Sequence, residues 1–292
     1  MKIAIYGRQF NDTALPYIQQ VFDNLTQHQA EIYVHHALEE HLSGRIVTTP
    51  YQILDQEVSL KGFIDVFLTI GGDGTLLDMV TLIRDTGIPV IGINFGRLGF
   101  LASVNKNDIA AAIYAVVNKQ FTLDSRELLS IESDGKIFGN DNFALNDITI
   151  HKRDDSAMIT THAYLNGEIL NSYWGDGIII ATSTGSTAYS LSCGGPIIFP
   201  QSNSIAITPI SPHNLNVRPV ILPDSSILTF EVECRSANYL VSCDSRTAVI
   251  EQSMKFKVYK AGFRLNLIRL NNESYLTTLR NKLLWGLDVR NY

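Results

Sequence analysis

Residues 63–75 of the chain read FIDVFLTIGGDGT, a nearly continuous apolar run that ends in three glycines and an aspartate. An uninterrupted apolar run predicts a strand that is buried on both faces, as the strands of a parallel sheet are. Residues 76–84 then show the apolar spacing of a helix, and residues 88–94 read as a second strand. The stretch therefore predicts a β-loop-α-β unit with the glycine-rich loop at the carboxyl end of the buried strand.

The first hundred or so residues repeat this alternation, and most of the remaining chain does not. Strands are predicted at residues 2–6 and 31–35, with a helix at residues 14–27 between them. From about residue 120 the helical period disappears, and β-patterned runs follow at residues 127–132, 143–151, 158–165, 177–181, 227–234 and 255–259. We therefore predict an α/β N-terminal domain with a parallel sheet, residues 1–98, and a β-rich C-terminal domain, residues 99–269. Helical patterning returns near the end, and residues from about 270 to 292 are expected to pack back on the first domain as a C-terminal helix.

Composition and charge restrict the class of protein further. The chain has 292 residues, 45% of them hydrophobic, and its 29 acidic and 23 basic side chains give a net charge of -6. Nucleic-acid-binding proteins usually carry a basic excess, so no nucleic-acid partner is expected. The three cysteines have no CxxC spacing, which indicates neither a disulfide framework nor a zinc site. Because no signal peptide or long apolar span is present, we expect a cytoplasmic protein without a membrane partner.

The glycine-rich loop at residues 71–75 is the first candidate site. Helix N-termini at the carboxyl ends of parallel strands offer N–H groups to anions, and glycines let a phosphate approach the backbone. Asp73 does not fit a loop that only holds phosphate, because two negative charges about 4 Å apart repel by roughly 1 to 4 kcal/mol. It indicates a base, a metal contact or a hydrogen bond to sugar hydroxyls. The loop matches neither the P-loop nor the dinucleotide-binding fingerprint, so a different phosphate chemistry is expected.

Two other groups of polar residues interrupt β-patterned runs. Residues 175–177 read GDG and lead through an apolar strand into TSTGSTAYS at residues 182–190. Hydroxyl and backbone groups spaced this closely suit the edge of a flat heterocycle and its ribose, although Ser and Thr also occur in ordinary turns. Asn146 and Asp147 are adjacent within a predicted strand, so only one can face a site unless the strand is bulged there.

Taken together, these motifs resemble those of the NAD kinase family. The matching segments follow that family's order and spacing; they are residues 71–75, 146–147, 175–177, 184–189 (TGSTAY) and 212–219 (PHNLNVRP). Diacylglycerol kinase relatives and phosphofructokinases share the glycine-aspartate motif, so the TGSTAY segment makes the resemblance specific. The resemblance spans nearly the whole chain.

The resemblance implies an activity: phosphorylation by ATP of the 2′-hydroxyl of the adenosine ribose of NAD, giving NADP and ADP. It also implies a divalent cation, normally Mg²⁺, and assembly as a homodimer or homotetramer. The first domain would bind nucleotide and the second would bind NAD. No metal ligand is assigned.

The resemblance also implies roles for individual residues. Asp73 would be the general base, Asn146 and Asp147 would contact adenine and its ribose, and Asp176 would meet the nicotinamide end across a subunit boundary. Residues 187–192 would line the adenine pocket. The full set implied to bind substrate or cofactor is Gly72, Asp73, Gly74, Thr75, Asn146, Asp147, Trp174, Asp176, Thr184, Ser186, Thr187, Ala188, Tyr189, Ser190, Ser192 and Arg246.

Four positions depart from the family pattern. Asp147 and Ser183 stand where the family usually has Glu and Pro. Trp174 replaces an Arg or Gly at a position linked to the choice between NAD and NADH, so that choice stays open. Arg246 stands where Gln is frequent, and its cation could meet a phosphate.

Two alternative functions also stay open. A lipid or sphingoid-base kinase would share the glycine-aspartate loop but is expected to carry a membrane-binding surface, and the sequence has no amphipathic basic helix. A non-catalytic NAD(P)-binding sensor would keep the pocket without turnover. Liposome co-sedimentation separates the NAD kinase from the lipid kinase, and formation of NADP from ATP, Mg²⁺ and NAD separates it from the sensor.

Overall fold

The computed structural model describes residues 1–47, 50–54, 59–96, 99–153, 157–235, 238–251, 254–270 and 274–286. The strands are β1 Lys2–Gly7, β2 Glu31–Val34, β3 Gln52–Ile53, β4 Val66–Ile70, β5 Val90–Asn94, β6 Val104–Asn105, β7 Phe121–Ser133, β8 Phe143–Ala144, β9 Asp147–Lys152, β10 Ile159–Leu165, β11 Glu168–Gly175, β12 Gly177–Thr182, β13 Ser204–Ile210, β14 Val220–Pro223, β15 Leu228–Glu233, β16 Asn238–Cys243, β17 Arg246–Glu251 and β18 Lys255–Leu270. The helices are α1 Leu15–Gln27, α2 His36–Leu42, α3 Asp73–Ile83, α4 Ile109–Val117, α5 Tyr189–Ser192 and α6 Tyr275–Leu283.

The chain divides into two compact units. The first unit comprises Met1–Ser125 with Leu265–Tyr292, and the second comprises Arg126–Arg264. These boundaries lie inside β7 and β18 and differ from those predicted near residues 98 and 270. The first boundary lies later in the chain than predicted because α4 shares one apolar core with α1, so residues 99–125 belong to the first unit.

The first unit contains the predicted parallel sheet. Strand β4 pairs in parallel with β1 and β5, while β2 and β3 extend the sheet beyond β1. Every residue of β4 and β5 is buried, as parallel strands covered on both faces require. Helix α6 belongs to this unit, where the Tyr275 ring lies 6.5 Å from that of Phe100. The predicted α/β fold with a returning C-terminal helix is confirmed.

The second unit is β-rich, as predicted. One antiparallel sheet has the order β14-β13-β12-β9-β16-β17, and β10 pairs antiparallel with both β11 and β15. Alternate side chains fill a core that includes Phe230, Tyr239 and Phe256. The run predicted as one strand at residues 143–151 forms two strands, β8 and β9. Strand pairing is therefore interrupted at Leu145 and Asn146, and we call this interruption the strand break. No helix among the described residues is long and apolar enough to cross a membrane.

Three histidines in a polar stretch, His35, His36 and His41, predict a solvated segment, and His35 departs from this prediction. Residues from His36 onward form α2, and the His35 side chain accepts a hydrogen bond at the start of that helix. The ring is 8% exposed and lies edge-on to Tyr6, with centroids 5.1 Å apart. The interpretation is wrong for His35 because β2 ends beside β1, which turns the ring into the core.

Acid is expected to destabilise the protein through His35. Burial, and then the neighbouring His36, lower the pKa of His35 from 6.5 to about 4. The unfolded chain therefore binds a proton here below pH 6.5, whereas the folded chain does so only below about pH 4. The free energy of unfolding is then highest above pH 6.5 and falls by roughly 3 kcal/mol as the pH drops through this window.

The test compares urea unfolding at about pH 7 and about pH 4.5. His35→Asn keeps a side chain that can cap α2 but cannot titrate, so the loss of stability in acid should shrink. His41→Asn, on the same helix, is the matched control. Equal acid sensitivity of His35→Asn and the parent protein would contradict the assignment.

Candidate functional site

The glycine-rich loop joins β4 to α3 in the first unit. Gly71 has a φ of +147°, and a Cβ there would lie 2.9 Å from the Thr75 Cβ, so this position requires glycine. Gly72 is the N-cap residue, and its carbonyl accepts the N–H group of Thr75 at 3.0 Å. The sequence predicts a helix from residue 76, but α3 begins at Asp73. The aspartate therefore occupies the first helical turn, where the helix dipole favours negative charge.

The Asp73 carboxylate is held by the backbone of a second loop in the same unit. Its Oδ2 accepts the N–H group of Phe100 at 2.8 Å. Its Oδ1 accepts those of Leu101 and Ala102 at 3.1 and 2.9 Å. A Cβ on Gly99 would overlap the carboxylate, so the close approach depends on this glycine. The motif in the sequence identified Asp73 but contained no signal for the loop that binds it.

This geometry determines what Asp73 can do chemically. A carboxylate has about four lone-pair positions, and three of them accept the N–H groups described above. Within the described part of the chain, one position on Oδ2 stays available on a half-buried, fixed carboxylate. Such an oxygen can accept a hydrogen bond from a hydroxyl and then its proton.

Asn146 and Asp147 lie at the strand break in the second unit, where the backbone is fully hydrogen-bonded. The N–H groups of Leu145, Asn146 and Asp147 all donate to the Asp244 carboxylate, at 2.8, 2.8 and 3.2 Å. The Leu145 carbonyl accepts the Thr182 hydroxyl at 2.6 Å, and the Asn146 carbonyl accepts the Thr182 N–H group at 2.9 Å. The predicted irregularity is therefore an ordered turn with a specific set of partners.

The turn also contacts the threonine-rich segment. The Gly185 N–H group donates to the Thr182 hydroxyl at 3.0 Å. A Cβ on Gly185 would lie 2.7 Å from the Asn146 Cα, so only glycine allows this approach. Two motifs that are separate in the sequence, Asn146-Asp147 and TGSTAY, are thus in direct contact.

Members of the threonine-rich segment differ in exposure. Ser186 and Ser190 are fully buried, and their hydroxyls bond to Ile198 and Thr208 inside the unit. Their side chains therefore face the interior of the unit, and a contact of either residue with substrate stays a prediction. The Thr184 hydroxyl is also buried, and it accepts a hydrogen bond of 3.1 Å from Nη1 of the buried Arg126 side chain. The exposed or half-buried candidates at residues 184–192 are Thr187, Ala188, Tyr189 and Ser192.

Asp147 is 7% exposed and does not behave as an ordinary carboxyl. Burial, and then the charge of Asp244, raise its pKa to about 7, while the Thr149 hydroxyl at 3.1 Å acts in the opposite direction. Asp244 was not among the residues implied by the resemblance. Its side chain is 2% exposed. No local sequence signal distinguishes it from an ordinary turn aspartate.

Three other sequence candidates lie elsewhere in the second unit. Trp174 is 40% exposed, and its ring lies 4.3 Å from that of His213. Asp176 forms an ion pair with Lys152, with Oδ1 and Nζ 3.0 Å apart. Arg246 donates to the carbonyls of Asp141 and Phe143. Its guanidinium therefore holds the chain ahead of the strand break, and a phosphate contact stays a prediction.

The described residues contain no group of three or more His, Cys, Asp or Glu side chains that could hold a metal ion. Mg²⁺ usually keeps several waters and binds through one or two carboxylates together with substrate phosphates. A cation that arrives with a nucleotide in this way needs no such group of side chains.

Comparison with known proteins extends over the whole chain. Residues 3–121 match the family model of the ATP-NAD kinase N-terminal domain, and residues 145–270 match that of the ATP-NAD kinase C-terminal domain. The NAD kinase of Cytophaga hutchinsonii is 44% identical over 293 residues, which cover 100% of both chains.

Two solved structures share the fold. Yeast NADH kinase complexed with NADH has a TM-score of 0.89 at 22% identity, over 100% of this chain and 89% of that one. An NAD kinase from Archaeoglobus fulgidus in complex with ATP has a TM-score of 0.76 at 21% identity, over 97% and 99% of the two chains. At these identities the likeness concerns the fold alone.

Proposed function

Because this chain belongs to the NAD kinase family, we propose that it transfers the γ-phosphoryl group of ATP to the 2′-hydroxyl of the adenosine ribose of NAD, giving NADP and ADP. Kinase activity toward NAD follows from family membership. The acceptor atom and the catalytic base are our proposal, and one observation carries it. That observation is the fixed Asp73 carboxylate, which keeps an available lone pair on Oδ2.

In this proposal Asp73 is the general base. A ribose hydroxyl is a poor nucleophile, and phosphoryl transfer needs alignment, neutralisation of phosphate charge and a group that takes the proton. Three N–H donors prevent the Asp73 carboxylate from rotating, so a hydroxyl that donates to Oδ2 meets an oxygen already in position. A well-placed base contributes roughly 10² to 10⁴ in rate.

The second unit supplies groups suited to the adenosine part of NAD. We assign the half-buried Asn146 amide and the Asp147 carboxyl to adenine and ribose, because each can both donate and accept hydrogen bonds when Asp147 is protonated. The accessible side of the adenine pocket is assigned to Thr187, Ala188 and Tyr189. The buried hydroxyls of Ser186 and Ser190 support this surface from behind.

The remaining assignments follow the family resemblance. Trp174 is exposed at the position linked to the choice between NAD and NADH, and the yeast neighbour is an NADH kinase, so both acceptors enter the test. Asp176 is proposed to face the nicotinamide end in a homodimer or homotetramer. Mg²⁺ is proposed to bind with ATP, where a cation neutralises charge on the phosphates.

We expect the purified chain to form NADP and ADP in equal amounts from NAD, ATP and Mg²⁺. A dehydrogenase that accepts only NADP detects the product and reports phosphorylation at the 2′ position. EDTA should abolish the reaction, and NADH in place of NAD measures acceptor choice. Binding of NAD without any NADP would instead identify a non-catalytic sensor, and phosphorylation of diacylglycerol vesicles alone would identify a lipid kinase.

A further inference from the structure

We propose that Asp244 is a positioning residue for dinucleotide binding: its buried carboxylate holds the backbone of Leu145, Asn146 and Asp147 and places a negative charge opposite the Asp147 carboxyl. The inference rests on the proposed role of Asn146 and Asp147 in binding NAD. Asp244 lies in the turn between β16 and β17, on a different part of the chain from the residues it holds. It acts through those residues and is not assigned a contact with substrate.

The backbone at Asp244 adopts an unusual conformation that allows this contact. Its φ is +51°, in the left-handed region that residues other than glycine rarely adopt and that Asp and Asn tolerate best. Such conformations persist where the surrounding structure enforces them, often at functional sites. The Asp244 N–H group also donates to the Asp147 carbonyl at 3.0 Å, so the turn and the strand break are bonded in both directions.

Loss of the Asp244 carboxylate would release the strand break. Three consecutive N–H groups, those of residues 145–147, would lose their acceptor in a buried environment, which is unfavourable unless they reach water. The Thr182 and Gly185 contacts would still hold the other side of the turn. The turn would therefore rotate locally, which changes where the Asn146 and Asp147 side chains point.

The carboxyls of Asp147 and Asp244 differ in their protonation state. Burial raises the pKa of Asp244, but its oxygens accept three N–H bonds and Arg246 lies 3.9 Å from Oδ2, and both features favour the ionised form. Asp147 accepts a bond from Thr149, and its pKa is raised to about 7. We therefore assign the proton to Asp147 and the charge to Asp244.

Other groups around Asp147 do not account for its titration near neutral pH. Tyr189 and Cys193 face it from the segment after β12, and Cys243 faces it from β16. Burial raises the pKa of all three, so they are neutral at pH 7. Arg246 lies beyond Asp244, with its Nη2 3.9 Å from the Asp244 Oδ2. Among these neighbours, Asp244 supplies the negative charge that Asp147 senses.

The test measures KM for NAD, kcat and their pH dependence in Asp244→Asn and Asp244→Ala, using NADP formation. We expect KM for NAD to rise at least tenfold in Asp244→Ala and by less in Asp244→Asn, which keeps one acceptor oxygen, while kcat changes less than threefold. The parent protein should show an inflection in KM near pH 7 that Asp147→Asn removes. In Asp244→Asn the inflection should move toward acid by about one pH unit, because the neutral amide no longer disfavours the charged form of Asp147. A purely structural role would not produce this change.

Asp134→Asn, an exposed aspartate of the same unit, is the matched control and should leave KM and its pH profile unchanged. Native KM and an unmoved inflection in folded Asp244→Asn overturn the inference. If neither Asp244 variant folds, carboxyl ¹³C titration of the parent protein decides, since protonation of Asp244 in place of Asp147 at neutral pH also overturns it. A parent protein that forms no NADP counts against the proposed function instead, and the carboxyl titration still tests the assignment of the proton.

Discussion

Replacing Asp73 with Asn is expected to lower kcat at least about a hundredfold while NAD still binds. The amide cannot take the proton from the ribose hydroxyl, so the transition state loses its base, whereas the binding groups of the second unit are unchanged. Steady-state kinetics give kcat, and a direct titration of NAD gives the dissociation constant. Turnover similar to that of the parent, in a variant shown to be folded, would refute the assignment of Asp73 as the base.

The Asp73→Asn result needs a control for structure, because the carboxylate also binds a loop. In the variant, an NH₂ group replaces one of the two oxygens and cannot accept a hydrogen bond. Either the N–H group of Phe100 or those of Leu101 and Ala102 therefore lose their acceptor. Thermal unfolding therefore accompanies the kinetics. A fall in kcat without a fall in thermal stability assigns the effect to chemistry and not to a disordered loop.

The sequence predicts Asp73 but cannot predict what holds it. Its motif is local, since three glycines and an aspartate follow a buried strand. The N–H groups that bind its carboxylate come from residues 27 to 29 positions further along the chain, in an irregular segment. Backbone N–H groups have no sequence signature, because every residue except proline carries one.

The strand break at Asn146 and Asp147 also depends on a partner that the sequence does not reveal. Adjacent polar residues in an apolar run indicate that Asn146 and Asp147 interrupt a strand. The partner of that interruption, Asp244, is 97 to 99 positions away and lies in a hairpin turn, where an aspartate is unremarkable in sequence. Only the antiparallel pairing of β9 with β16 brings the turn to the break.

Burial also separates residues that look alike in the sequence. Ser186 and Thr187 are neighbours with the same functional group, yet Ser186 is fully buried and bonded to Ile198. The single-turn helix at Gly185–Thr187 sets which hydroxyl turns inward. In contrast, the α/β and β-rich patterns are repeated over many residues, and the fold class is for that reason predictable.

Gly99→Ala is expected to lower kcat about a hundredfold without altering any catalytic group. The new Cβ would overlap the Asp73 carboxylate, which must then rotate away from the N–H groups of Leu101 and Ala102. A misplacement of about 1 Å in a reacting group can cost this much, because the base no longer meets the hydroxyl in line. The measurement is kcat for NADP formation, with NAD binding and thermal unfolding as in the Asp73 variant.

Gly262→Ala is the matched control, since a Cβ there meets no atom within 4 Å and turnover should stay at the parent level. The Asp73 and Gly99 variants separate the proton-accepting role of the carboxylate from its position. Asp73→Asn removes the proton acceptor, while Gly99→Ala keeps the carboxylate and moves it. If Asp73 is the base and its N–H partners hold it in position, kcat of both variants should be far lower than kcat of Gly262→Ala. A Gly99→Ala variant that turns over like Gly262→Ala would show that the position held by those N–H groups is not needed for catalysis.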